Sequence, residues 1–201
     1  MKRVLISFLL IYFICVSGQH KAFAYSSEPE KFIEEIIDEA KVILSSGSSQ
    51  EKKAEQLSKI ALKTVDVKGL AYYTLGKKRK EMSSEELKKY EELFEKYFLK
   101  SFTSRLTDYS DPKINVISAE TVNEKYTIVK TLLVKTDKKP EVKIDWRVYT
   151  KDPSNPLIRD LIVEGLSLAR TQKEEFASIL NSNNNDINVL FTSLKNFVDK
   201  K

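Results

Sequence analysis

The sequence holds one cysteine, Cys15, and one histidine, His20, and both fall within its first 24 residues. The rest of the chain has neither. That excludes disulfides, so the fold must rest on packing. It excludes Cys/His zinc sites and nucleophilic catalysis of the Ser-His-Asp or Cys-His kind. Carboxylates, lysines and tyrosines are the groups left for acid–base work. Glycine is scarce as well: five are scattered over 201 residues, and none forms a phosphate-binding loop.

What the first residues do have is the pattern of an export signal. Lys2 and Arg3 precede an apolar run from Val4 to Val16, broken only by Ser7, and Ala22-Phe23-Ala24 supplies small residues for cleavage before Tyr25. The run is short for a bilayer span. Bulky Phe13 and Ile14 before Cys15 argue against lipoprotein processing at that cysteine. Residues 1–24 are therefore expected to be a cleavable signal peptide and 25–201 a single exported domain. The leader takes Lys2, Arg3 and Lys21 and no acid, so the formal charge falls from +5 to +5 − 3 = +2. A general role in binding nucleic acid is not supported by so small an excess.

The first half of the remainder reads as helix. Ser27-x-x-Glu30, Ser48-x-x-Glu51 and Ser83-x-x-Glu86 have the form of capping boxes, and Asp66 can cap a short helix ending at Gly76. The longest helix, from Ser83 to about Thr107, carries Leu87, Tyr90, Phe94, Tyr97, Phe98, Phe102 and Leu106 at helical spacing. After Asp111-Pro112 the period changes to two. Val142, Ile144, Trp146 and Val148 alternate with charged residues; Tyr126, Ile128, Leu132 and Val134 are expected on one side of a neighbouring strand. Ile114–Val122 and Leu157–Glu164 complete four strands joined by short links. Helix returns with Thr171-x-x-Glu174 as its cap, and a last helix carries Ile187, Leu190, Phe191, Leu194, Phe197 and Val198. The class predicted is α+β, a curved antiparallel sheet of about four strands packed against a helical layer.

Candidate sites are few. Lys77-Lys78-Arg79-Lys80 is the densest charge run; it reads as a solvated loop, or as a contact for anionic head groups or an acidic partner. Asp108, Asp111, Glu120 and Glu164 could supply a carboxylate pair, although their spacing does not require one. Phe94, Phe98 and Phe102 of the long helix face Leu132, Val142, Ile144, Trp146 and Val148 of the expected sheet. Such a layer can close into solid core or enclose an apolar cavity, and periodicity does not decide between them.

Two segments resemble a known family. Leu75-Gly76 followed by the helix to Arg105-Leu106 and Tyr109 is similar to the LG motif and long helix of the MlaC proteins, also called toluene-tolerance Ttg2 auxiliary proteins. Asp160 to Leu168, DLIVEGLSL, resembles that family's DVxVEGxSL signature, with Phe176 matching a later phenylalanine. Pro156, Leu157, Ile158 and Arg159 stand where the family has an aromatic W-x-V-Y stretch, and Lys173 where it has arginine. The resemblance implies a periplasmic phospholipid carrier, not an enzyme and without cofactor or metal. It would be a monomer exchanging lipid with an inner-membrane ABC transporter complex and an outer-membrane lipoprotein complex, so maintaining outer-membrane lipid asymmetry. Val163 and Leu166 of the signature join the expected acyl-chain contacts. The alternative is a periplasmic adaptor with a solid core and no lipid.

Overall fold

The computed structural model describes residues 25–107, 111–136 and 140–200. The expected leader, Asp108, Tyr109 and residues 137–139 of one strand link lie outside the described residues. Four helices come first: α1 (Pro29–Ser45), α2 (Gln50–Thr64), α3 (Val67–Leu75) and α4 (Ser84–Leu106), with a single 3-10 turn at Lys78–Lys80 before α4. Five strands follow, β1 (Ile114–Asn123), β2 (Tyr126–Leu133), β3 (Val142–Tyr149), β4 (Leu157–Val163) and the two-residue β5 (Leu166–Ser167). Helices α5 (Leu168–Asn181) and α6 (Ile187–Asp199) complete the chain. The strands pair antiparallel in sequence order, which confirms an α+β fold and adds one short strand to the four expected.

The helix starts show which caps the chain uses. Ser83 and Glu86 form the reciprocal box: the Glu86 amide donates to Ser83 Oγ at 3.2 Å and the Ser83 amide donates to Glu86 Oε2 at 2.8 Å. Those Ser83 bonds, from its amide and then its hydroxyl, hold the Glu86 carboxyl below its usual range. Asp66 caps α3 through the Gly69 amide. The other boxes are corrected. Glu28, not Ser27, precedes α1, and its side chain makes no cap; Pro29 in the first turn has no N–H to satisfy. Ser49 rather than Ser48 caps α2. Helix α5 begins at Leu168 under Ser167, and Thr171 lies inside it, donating its hydroxyl to the Ser167 carbonyl. Ser167 already offers an acceptor one turn earlier, so the helix starts there.

Strand β2 is also turned over relative to expectation. Thr127, Val129, Thr131 and Leu133 are buried and face the helices, in register with Val148, Trp146, Ile144 and Val142. Tyr126, Ile128 and Leu132 lie on the outer side. Two buried threonines made the true inner row look polar. Thr131 is satisfied there because its hydroxyl donates to the Ile144 carbonyl at 2.9 Å.

Two buried clusters result. A helical cluster joins α3, α4, α5 and α6 around Tyr90, Phe94, Phe176, Leu190 and Leu194. A sheet cluster joins α1 and α2 to Val129, Val148 and Ile158. Val65, at the joint between α2 and α3, packs against both.

Candidate functional site

Burial of the large apolar side chains falls in one direction along three elements, although Thr103 of α4 stays buried. On α4 it runs from buried Phe94 to half-buried Phe98, Phe102 and Leu106; on β3 from buried Val148 to half-buried Trp146, Ile144 and Val142; on β4 from buried Ile158 to half-buried Leu161 and Val163. The strand ends are neighbours, and Leu106 at the end of α4 packs against the sheet cluster. The chain passes from α4 to Ile114 within a few residues, Ile114 pairs with Leu133, Leu133 with Val142, and Ile144 with Val163. Strand β2 stays buried as far as Leu133 because α1 packs over β1 and β2. The backbone of α4 lies closest to α2, α3 and α6, not to the sheet. Full burial of each such apolar group would be favourable by roughly 1.5–3 kcal/mol.

The α4 side of this strip is a ladder of rings. Phe94 and Phe98 stack at 6.4 Å between centroids, and Phe98 and Phe102 at 5.8 Å; spacing of four residues puts them on one helix face. On the sheet side, the Trp146 ring N–H donates to Thr131 Oγ1 at 2.9 Å. Of the residues expected to line a cavity, Phe98, Phe102, Val142, Ile144, Trp146 and Val163 are half-buried on these surfaces. Phe94 and Val148 are core, at 3% and 0% exposed. Leu132 is on the outer sheet face, opposite Lys143 of β3, and so cannot join them. Leu166 is 59% exposed beside Val163.

The DLIVEGLSL segment is a fold device. Glu164 and Gly165 both have positive φ, 49° and 81°, as a two-residue hairpin turn requires. The turn is tied to β3 through the Glu164 amide, which donates to the Lys143 carbonyl at 3.0 Å. Asp160, buried, accepts from the Ser167 hydroxyl at 2.6 Å and the Ala169 amide at 3.0 Å, placing its charge at the start of α5. The cap of α5 depends on β4 folding back to bring Asp160 to Ser167. Likewise Arg159, a departure from the family pattern, reaches Asp66 at 2.7 Å and lies 3.6 Å over the Tyr149 ring. It fastens the α2–α3 joint to the sheet.

The basic run occupies the far end of α4. Lys78 pairs with Glu81 at 3.0 Å and Arg79 lies over Tyr72, while Lys77 and Lys80 are exposed. About 27 Å of helix separates Ser84 from Phe102 at 1.5 Å per residue. The acids do not converge: Glu120 pairs with Lys130 on the outer face at 2.9 Å, Glu164 sits in the hairpin turn, and Asp111 is exposed. Among the described residues no cluster could hold a metal ion, and no helix is long and apolar enough to cross a membrane. One recess of about 410 Å³ lies between α3 and α4, floored by Val67 and Ala71; another of about 590 Å³ lies on the outer sheet face around Ile128, Arg147 and Ile162. Neither lies between α4 and the inner face of the sheet.

Comparisons with known proteins agree with this architecture. No curated protein matches the chain. A solved structure of a phospholipid-binding protein from Ralstonia solanacearum, in complex with a phospholipid, is similar in fold: TM-score 0.72 and 15% identity, covering 86% of this chain and 97% of that one. The family model described as MlaC protein matches residues 34–196, and the chain belongs to that family.

Proposed function

We propose that this protein is a periplasmic phospholipid carrier, and that acyl chains lie between the Phe98–Phe102 side of α4 and the Val142–Trp146 side of the sheet. The observation that carries this reading is the strip of core-facing apolar groups left half-buried on α4, β3 and β4. Family membership and the phospholipid held by a neighbour of the same fold support it. The chemistry is simple. Each methylene moved out of water is worth about 0.8 kcal/mol, so chain burial alone can hold a lipid against the costs of ordering it. No catalytic group is needed. The export pattern at residues 1–24 fits a carrier working in the periplasm.

In this reading lipid passes between an inner-membrane ABC transporter complex and an outer-membrane lipoprotein complex, and the protein works as a monomer. Lys77, Arg79 and Lys80, distant from the strip along α4, serve as contacts for a partner rather than for the bound head group. Lipid extraction and native mass spectrometry of the protein purified from its own periplasm test the proposal. Stoichiometric phospholipid is expected. Protein that is folded and lipid-free from that source would point instead to an adaptor with a solid core.

A further inference from the structure

Trp146 is the only tryptophan of the chain. Its side chain stands on the inner face of β3 between buried Val129 of β2 and half-buried Leu161 of β4, within the strip described above. The single polar atom of the indole is already used: Nε1–H donates to Thr131 Oγ1 at 2.9 Å. The Thr131 hydroxyl in turn donates to the Ile144 carbonyl at 2.9 Å. Thr131 is 3% exposed, on a row whose neighbours Val129 and Leu133 are apolar. A valine would fill that position with nearly the same shape, so the hydroxyl answers a need other than packing. It fixes both the donor and the orientation of the indole, because a ring with its N–H engaged in a partly buried bond resists rotation.

We propose that Thr131 is a positioning residue for lipid: it holds the indole N–H inside the sheet so that Trp146 offers the strip only carbon. The indole then accepts the methylene part of an acyl chain and rejects the ester and head-group region, which need hydrogen-bond partners. Lipid thereby enters with its chains toward Trp146 and its head group away from it. This rests on the carrier reading above and adds the residue that holds the indole in place.

The test uses the processed, lipid-stripped protein reloaded from vesicles of phosphatidylglycerol, brominated at mid-chain or labelled with a nitroxide on the head group. Bound lipid is counted by extraction, and Trp146 emission is read in the same sample. Strong quenching by chain bromine and weak quenching by the head-group label are expected. Thr131→Val should weaken chain quenching and release a pyrene-labelled phospholipid about fivefold faster, the scale of one lost buried hydrogen bond; Thr131→Ser should restore both. Trp146→Phe has no N–H to hold, so Thr131→Val added to it should not speed release of the labelled lipid further. Bound lipid that quenches equally from either end overturns the inference and leaves the carrier reading intact. So does Thr131→Val with unchanged quenching and release. Absence of bound lipid overturns both.

Discussion

The helical cluster closes around Tyr90 and Leu190, each at 0% exposed, and every surrounding helix contributes to it. The inner row of β3 is closed at one end only, passing from Val148 at 0% to half-buried Trp146, Ile144 and Val142. Both regions are built from large apolar side chains. They differ in what covers them. Helices α3, α4, α5 and α6 enclose the first cluster, whereas α1 packs over β1 and β2 and leaves Val142, Ile144 and Val163 at the ends of β3 and β4 half-buried. The same composition thus closes fully in one place and stays half-buried in the other.

Substitutions in the two regions should therefore separate stability from lipid retention. Phe94→Ala, in the closed cluster, removes a fully buried ring and should cost about 3–5 kcal/mol, read as a lower midpoint in urea. Asp160→Ala strips the acceptor from the Ser167 hydroxyl and the Ala169 amide. Its expected cost is about 1–3 kcal/mol, with amide exchange accelerated first at the start of α5. Phe98→Ala, at the half-buried edge of the helical cluster, should cost less than Phe94→Ala yet lower the amount of lipid retained on purification. If Phe98→Ala proves as destabilising as Phe94→Ala and retains lipid fully, the distinction between the regions fails.

A smaller effect concerns pH. The Glu86 carboxyl is held below its ordinary value by the Ser83 amide and hydroxyl. A lowered folded value means that its contribution is present above the unfolded value, near 4.3, and is lost as pH falls through the folded one. Glu86→Gln should accordingly lower the melting temperature slightly at pH 7, by an amount that shrinks as pH falls through the folded value. An equal loss at every pH would show that the carboxylate charge plays no part in the cap.

Much of this architecture is legible in the residues. The meander follows from alternation on β3 and from short links, and α4 from its capping box and its row of aromatics. The errors are instructive. Strand β2 reads inside out because Thr127 and Thr131 look polar in sequence, and only their register against β3 shows them facing the helices. That single inversion misplaced Leu132 and hid Thr131. Helix α5 reads four residues late because its cap, Ser167, depends on Asp160 across a hairpin that no local pattern reveals. The strip itself is invisible to periodicity, which gives the direction of a side chain and not whether anything covers it. Arg159 and Asp66, 93 residues apart, meet through the tertiary fold alone.

The most direct measurement is native mass spectrometry of the protein isolated from its own periplasm, with the bound species identified after release. The carrier account predicts a phospholipid in equimolar amount on the intact chain and reduced occupancy for Phe98→Ala at undiminished folding. Folded protein that carries no lipid, in both the unaltered and the substituted chain, would contradict it.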